Sequence, residues 1–204
     1  IHPAVWHMNE GHVAFLTLER ARERVRMGDS LAEALAAVKK TTVFTTHTPV
    51  PAGNETFDRK LVRKHLEPWI RDVGCEPDEV LALGSDNGNF NMTAFSIRMA
   101  ASTNGVSRLH GEVSRAMWAS LFPGVPTDEI PIGHVTNGIH TRSWIAPDIM
   151  FVLERYLSSK WANDPTDQTV WEGVMQIPDE ELWRAHERCR ERLVGWTRQS
   201  LKEQ

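Results

Sequence analysis

The sequence predicts an α/β chain, helix-rich with few parallel strands. Two apolar, β-prone stretches, residues 4–8 and 41–46, are separated by two amphipathic helical stretches. A strand, helix, helix, strand order is a βαβ-type unit, which favours a parallel sheet with a crossover connection. Polar clusters also stand at or just past the end of each predicted strand, where an open parallel sheet places its ligands.

Taken in order, Ala4-Val5-Trp6-His7-Met8 reads as a buried strand stopped by Asn9-Glu10-Gly11. From His12 the positions Phe15, Leu18, Arg22 (its stem) and Val25 follow helical spacing, and Met27-Gly28-Asp29 ends that helix. Ser30 and Glu33 form an S-x-x-E capping box ahead of Leu31, Leu35 and Val38. Lys39 and Lys40 close the second helix where cations suit the macrodipole. Residues 41–46 are β-branched and aromatic, hence a strand.

Further on, Asp58 to Val73 reads as a charged amphipathic helix carrying Pro68, and Pro77 opens a short one ended by Gly84. Residues 85–89 are a turn cluster, and 92–102 fit a helix or a strand, with helix the preferred reading. Val106, Leu109, Val113, Met117 and Leu121 share one helical face, and residues 130–135 make a third strand. After Pro147 the pattern is purely helical. Ile149, Val152, Leu153, Tyr156 and Leu157 form one stripe; Leu182, His186, Cys189, Leu193 and Trp196 form another. Residues 162–169 are the most linker-like.

Composition narrows the function. The 204 residues carry 23 basic and 27 acidic side chains, a net charge of −4, with 41% hydrophobic residues. That is ordinary for a soluble globular chain and leaves no basic face for nucleic acid. No apolar stretch approaches the ~20 residues of a membrane span. Cys75 and Cys189 stand alone, which fits a reducing cytoplasm and gives no cysteine-based zinc site. Ile1 opens the chain without a signal-peptide pattern, so the chain reads as cut from something longer.

Three clusters carry candidate chemistry: Asn9-Glu10-Gly11-His12, Thr46-His47-Thr48 and Thr136-Asn137-Gly138-Ile139-His140. Hydroxyl, amide, imidazole and carboxylate groups are the donors and acceptors that hold a polyhydroxyl substrate. The plainer reading, that each cluster is a cap or turn, comes first from periodicity alone. His7 and His12 lack the i, i+4 spacing of a helical metal pair, and no metal site is expected. His65, His110 and His186 read as structural histidines, and Trp118, Trp183 and Trp196 as packing residues. No G-x-S-x-G, GxGxxG or GxxxxGK[ST] occurs.

At these clusters a family resemblance emerges. His7-Met8-Asn9-Glu10-Gly11-His12, Thr46-His47-Thr48-Pro49 with Pro51, Asn91-Met92, Asn104-Gly105-Val106-Ser107-Arg108-Leu109-His110, and Thr136-Asn137-Gly138-Ile139 with Arg142 and Trp144 carry it. In order and spacing the chain resembles the α-1,4-glucan (glycogen/maltodextrin) phosphorylases, with wording closest to the short bacterial and archaeal branch. The resemblance implies a GT-B glycosyltransferase fold, two Rossmann-like domains facing a cleft, with pyridoxal 5'-phosphate held in the C-terminal one. It implies phosphorolysis of α-glucan or maltodextrin by inorganic phosphate to α-glucose 1-phosphate, with retention.

By motif, His47 corresponds to the family's catalytic-site histidine, which holds the glucosyl 6-hydroxyl and turns its carbonyl toward the oxocarbenium-like carbon. Asn137 also holds the sugar, Thr48 flanks it, and Glu10 and His12 line the pocket beside the anomeric face. His140 departs from the family's usual threonine and receives no role. Residues 1–137 would be the C-terminal portion of the N-terminal sugar-binding domain, and 138–204 the interdomain crossing and first helices of the second. The Schiff-base lysine and the basic phosphate-binding pair would lie beyond Gln204. The isolated chain is therefore expected to bind no cofactor and to be inactive, its parent a cytoplasmic homodimer. Two other readings are a segment of a sugar-nucleotide-dependent GT-B glycosyltransferase and a non-catalytic carbohydrate-binding or helical module.

Overall fold

The computed structural model describes residues 3–203; Ile1, His2 and Gln204 lie outside them. Strand β1 (Trp6–Asn9) passes through a 3-10 turn at Gly11–Val13 into α1 (Leu16–Arg26) and α2 (Leu31–Lys40), then β2 (Thr42–Thr46). The first helix thus begins later than His12, because Glu10 closes the turn by accepting the Gly11 N–H at 3.2 Å. The capping box stands as expected: Ser30 Oγ accepts the Glu33 N–H at 3.3 Å, and Glu33 Oε2 accepts the Ser30 N–H at 3.0 Å.

Strand β3 (Thr56–Phe57) leads into α3 (Arg59–Val73), capped by Asp58 and ended by Gly74 at φ 73°. Helix α4 (Pro77–Leu83) precedes a small hairpin of β4 (Ser85–Asp86) and β5 (Asn89–Asn91). The expected turn cluster is this hairpin's tip. Asn87 and Gly88 have φ 46° and 80°, the Asn-Gly combination that closes a two-residue hairpin. Helix α5 (Met92–Met99), β6 (Ser102–Gly105), α6 (Arg108–Met117) and β7 (Ile132–His134) complete the series.

The main sheet has the order β1-β2-β6-β7, every neighbour parallel. Alternation puts Met8, Phe44, Thr46, Thr103 and Ile132 on the covered face, all buried, while His7, Asn9 and Ser102 are exposed on the other. The core joins these to Leu18, Ala21, Val38, Phe90 and Phe95. Each fully buried large side chain contributes about 1.5–3 kcal/mol.

Three expectations need correction in this part. Residues 4–8 are not a strand buried on both faces; β1 is an edge strand, and of its residues only Met8 is buried. Residues 92–102 are not one helix: α5 stops at Met99 and β6 begins at Ser102. Strand β6 escapes the sequence because Ser-Thr-Asn-Gly has no bulky apolar residue and reads as a turn, yet it is the inner strand joining β2 to β7. The apolar stripe of α6 meets the core only at its end, where Met117 and Leu121 pack against it. Leu109 is 69% exposed and Val113 37%, while His110, Gly111 and Ser114 are buried. Gly111 decides this: a Cβ there would stand 3.0 Å from the Gly133 carbonyl, so the small face alone approaches the sheet.

The chain folds as two compact units, residues 1–137 and 138–204. The second holds α7 (Thr141–Trp144), α8 (Pro147–Tyr156), a 3-10 stretch at Gln168–Gln176 and α9 (Asp179–Ser200). Val152, Leu153, Leu157, Trp161, Val170, Ile177 and Ala185 form its core. Trp161 is 1% exposed, so the linker-like segment begins on a buried anchor. Asp148 ties α8 to α9 through ion pairs with Arg188 and Arg192.

The predicted α9 stripe is overturned as well. Ala185 is the buried residue of that helix, whereas Leu193 and Trp196 are 62% and 66% exposed. Trp183 is likewise exposed, while Trp118 is buried as expected. His65 and His186 are exposed, so of the three histidines read as structural only His110 is internal. No helix among the described residues is long and apolar enough to cross a membrane.

Candidate functional site

The first two polar clusters meet at the C-terminal edge of the four-stranded sheet, and Asn137 of the third follows β7 at the same edge. Glu10 is the hub. Its backbone adopts φ 81° and ψ 164°, a region that glycine alone occupies freely. Its N–H donates to the Thr45 carbonyl at 2.9 Å, locking the exit of β1 onto β2. Its carboxylate then reaches across to the exit of β2. Oε2 accepts the His47 N–H at 2.7 Å and the Thr48 hydroxyl at 3.1 Å, and Oε1 accepts the Thr46 hydroxyl at 3.5 Å.

His47 lies just past β2 with an exposed imidazole whose Nε2 meets Asn9 Oδ1 at 2.5 Å. An amide oxygen only accepts, so His47 carries its proton on Nε2 here. Thr48 is half-buried beside it. A second relay crosses the open face: Thr45 Oγ1 donates to Asn104 Oδ1 at 3.1 Å and pairs with His7 Nε2 at 2.7 Å.

Asn137 follows β7 and is tied back to β6. Thr46 pairs with Gly105 in register, so His47 and Val106 are the next residues along the two strands. The Asn137 N–H donates to the Val106 carbonyl at 3.1 Å. Strand β6 therefore stands between the chain at Asn137 and the end of β2 that carries His47.

His12, exposed in the 3-10 turn, lines a cleft of about 320 Å³ with Glu10, Gly53, Asn54, Glu55 and Thr93. Helix α5 contributes Met92 and Thr93 to the same lining. Asn91 Oδ1 caps the helix by accepting the Thr93 and Ala94 N–H groups, and Thr93 Oγ1 donates to buried Asn54 Oδ1 at 2.8 Å. Gly11 permits the contact, since a Cβ there would lie 3.3 Å from Thr93 Oγ1. His140, assigned no role, pairs locally with Ser143 Oγ at 2.7 Å in the second unit.

The structure thus brings Glu10, His47 and Thr48 into direct contact, places Asn137 just past β7, with β6 between it and β2, and sets His12 on the cleft lining. Asn9 and the His7–Thr45–Asn104 relay are not among the expected site residues. Asn9 does stand in the first polar cluster and His7 and Asn104 in the motifs of the resemblance, and alternation along β1 puts His7 and Asn9 on the same face.

The cleft chemistry favours uncharged hydroxyls over anions, since Glu10 and Glu55 line it and neither lysine nor arginine does. Among the described residues no group of three or more His, Cys, Asp or Glu could hold a metal ion.

No family model matches the chain. Individual proteins do. The chain is 42% identical over 203 residues to the maltodextrin phosphorylase of Thermococcus litoralis, covering 100% of this chain and 24% of that protein. It is 40% identical over 210 residues to the glycogen phosphorylase of Mycobacterium tuberculosis, covering 98% and 24%. It is 34% identical over 203 residues to the glycogen phosphorylase of Aquifex aeolicus, covering 97% and 29%. The chain spans about a quarter of the length of these curated relatives.

Proposed function

We propose, from its whole-length relationship to a quarter-length stretch of the maltodextrin and glycogen phosphorylases, that the chain is the sugar-gripping segment of an α-glucan phosphorylase. The parent reaction is attack of inorganic phosphate on the terminal α-1,4-linked glucose, released as α-glucose 1-phosphate with retention. Residues 1–137 are the end of the first Rossmann-like domain of a GT-B fold, and 138–204 the crossing and first helices of the second. The parent is a cytoplasmic homodimer. The relatives are named phosphorylases, which supports phosphate rather than a sugar nucleotide as the co-substrate.

In this reading His47 and Asn137 present neutral donors to the glucosyl hydroxyls, and the His47 carbonyl dipole opposes the positive charge developing at the anomeric carbon. Glu10 holds the His47 peptide in place, Thr48 is fixed by the same carboxylate, and His12 closes the rim beside the ring. The single observation that carries the reading is the Glu10 carboxylate clamp on the His47 N–H at 2.7 Å, at the same sheet edge from which the chain leaves β7 toward Asn137.

Pyridoxal phosphate, which the family implies, does not fit this edge. The cofactor needs a lysine amine and cations for its phosphate, whereas the cleft offers two carboxylates, those of Glu10 and Glu55. These residues bind and orient sugar, and no step performed by them runs through the cofactor. The 204-residue chain alone accordingly releases no glucose 1-phosphate from maltoheptaose and phosphate; release would refute that part.

The test of the whole reading is kinetic, in the parent protein. Asn137→Ala and His47→Ala each lower kcat/KM for phosphorolysis by about tenfold or more, the upper end of what one neutral hydrogen bond supplies. Unchanged turnover in both variants would return these clusters to the status of caps.

A further inference from the structure

We propose that His110 is a positioning residue that sets Asn137 through the Val106 peptide, a proposal that rests on Asn137 being a sugar-holding group. The Val106 peptide is gripped on both sides. Its N–H donates to His110 Nδ1 at 3.2 Å, and its carbonyl accepts the Asn137 N–H at 3.1 Å. The strand end beside it is tied in parallel, with the Val135 N–H donating to the Gly105 carbonyl at 3.0 Å. The crossing from β7 toward Asn137 therefore hangs on Gly105 and Val106 by two backbone bonds, and His110 fixes the second of these residues.

The imidazole is held for this task. His110 is 7% exposed, and its own N–H donates to Ser107 Oγ, the N-cap of α6, at 3.1 Å. Because Nδ1 accepts, the proton is on Nε2, which is buried and has no hydrogen-bond partner among the described residues. An internal histidine kept with one ring nitrogen unsatisfied is costly unless the other does something the fold requires. Gly105 and Gly111 make the approach possible. A Cβ on Gly105 would stand 3.0 Å from His110 Nδ1, and one on Gly111 would stand 3.0 Å from the Gly133 carbonyl. Helix α6 thus lays its buried face against the ends of β6 and β7, with the ring aimed at the peptide that carries Asn137.

The test uses the isotopically labelled 204-residue chain, amide hydrogen exchange and a maltotriose titration followed by amide shifts. His110→Phe keeps the ring's bulk and removes the acceptor, whereas His110→Asn restores an acceptor at the δ position. In the Phe variant the Val106 and Asn137 amides exchange roughly three- to tenfold faster, the factor for one neutral hydrogen bond. The Met8 and Phe44 amides keep their protection. The maltotriose shift at Asn137 falls while that at His47 persists, and the Asn variant recovers both readouts in part.

Unchanged exchange at Val106 and Asn137 in the Phe variant overturns the proposal. So does loss of protection throughout the first unit that the Asn variant fails to recover, since that marks a merely structural ring. If the wild-type chain shows no maltotriose shift at Asn137 while the exchange pattern holds, the sugar-site reading fails and the clamp stands by itself.

Discussion

Replacing Glu10 separates two opposing contributions at the centre of the site. Glu10→Ala removes the acceptor of the His47 N–H and the Thr48 hydroxyl, at 2.7 and 3.1 Å. Hydrogen bonds to charged groups contribute about 1.5–3 kcal/mol each, and the partial exposure of Glu10 puts both at the low end, about 3 kcal/mol together. The His47 N–H loses one of these two, so at ~1.4 kcal/mol per tenfold its amide should exchange roughly tenfold faster. Alanine keeps the unfavourable φ of 81° and ψ of 164°, which costs about 1–3 kcal/mol in any residue but glycine. Glu10→Gly loses the same acceptor yet relieves that strain, against about 0.5–1 kcal/mol of added chain entropy.

The two variants should therefore agree at His47 and differ in the core. Exchange of the Met8 and Phe44 amides reports opening of the first unit, and it should be slower in Glu10→Gly than in Glu10→Ala. An unchanged His47 amide in Glu10→Ala would refute the clamp. A glycine variant no more stable than the alanine one would refute the strain.

Other perturbations test the packing and charge around this centre. Gly111→Ala would set a Cβ 3.0 Å from the Gly133 carbonyl and push α6 off β7. Overpacking of that kind costs about 1–3 kcal/mol, read as faster exchange across β6 and β7. Phe44→Ala, at a fully buried position, should cost about 3–5 kcal/mol in denaturant unfolding of the first unit. Trp196→Gln, at 66% exposure, should move the second unit's unfolding midpoint little, within about 0.5 kcal/mol. Asp148 is held below the usual carboxylate range, first by its hydrogen bond from Arg192 and then by that from Arg188. A depressed folded-state pKa gives stability that is present above the unfolded value and lost as pH falls through the folded one. Acidification below the ordinary carboxylate range should thus loosen α8 from α9, followed by Leu153 and Ala185 amide exchange, and Asp148→Asn should flatten that dependence.

What the sequence disclosed, and what it hid, follows from the size of the local signal. The strand at Thr42–Thr46 and the capping box at Ser30 carry their reasons in adjacent residues, and the structure has both. Strand β6 has no such signal; Ser102 to Gly105 is a strand because β2 and β7 flank it. The buried faces of α6 and α9 escape the sequence for one cause. Apolar spacing identifies a helix, but close approach selects its buried side, and the small residues Gly111 and Ala185 make that approach. The strand-end placement of Glu10, His47 and Asn137 is readable from turn residues after strands. The Glu10 grip on the His47 peptide is not, since it depends on a backbone angle foreign to glutamate. His110 gives no local hint either, because its partner is a peptide fixed by β6 and β7.

The central claim, that the ends of β1, β2 and β7 grip one sugar ring, is tested most directly by titrating the labelled chain with maltooligosaccharide. The amides of Glu10, His47 and Asn137 should shift together along a single binding curve, and His47→Ala should weaken the response at Asn137 as well. Shifts at these amides that follow separate curves, or none at any concentration reached, would contradict it.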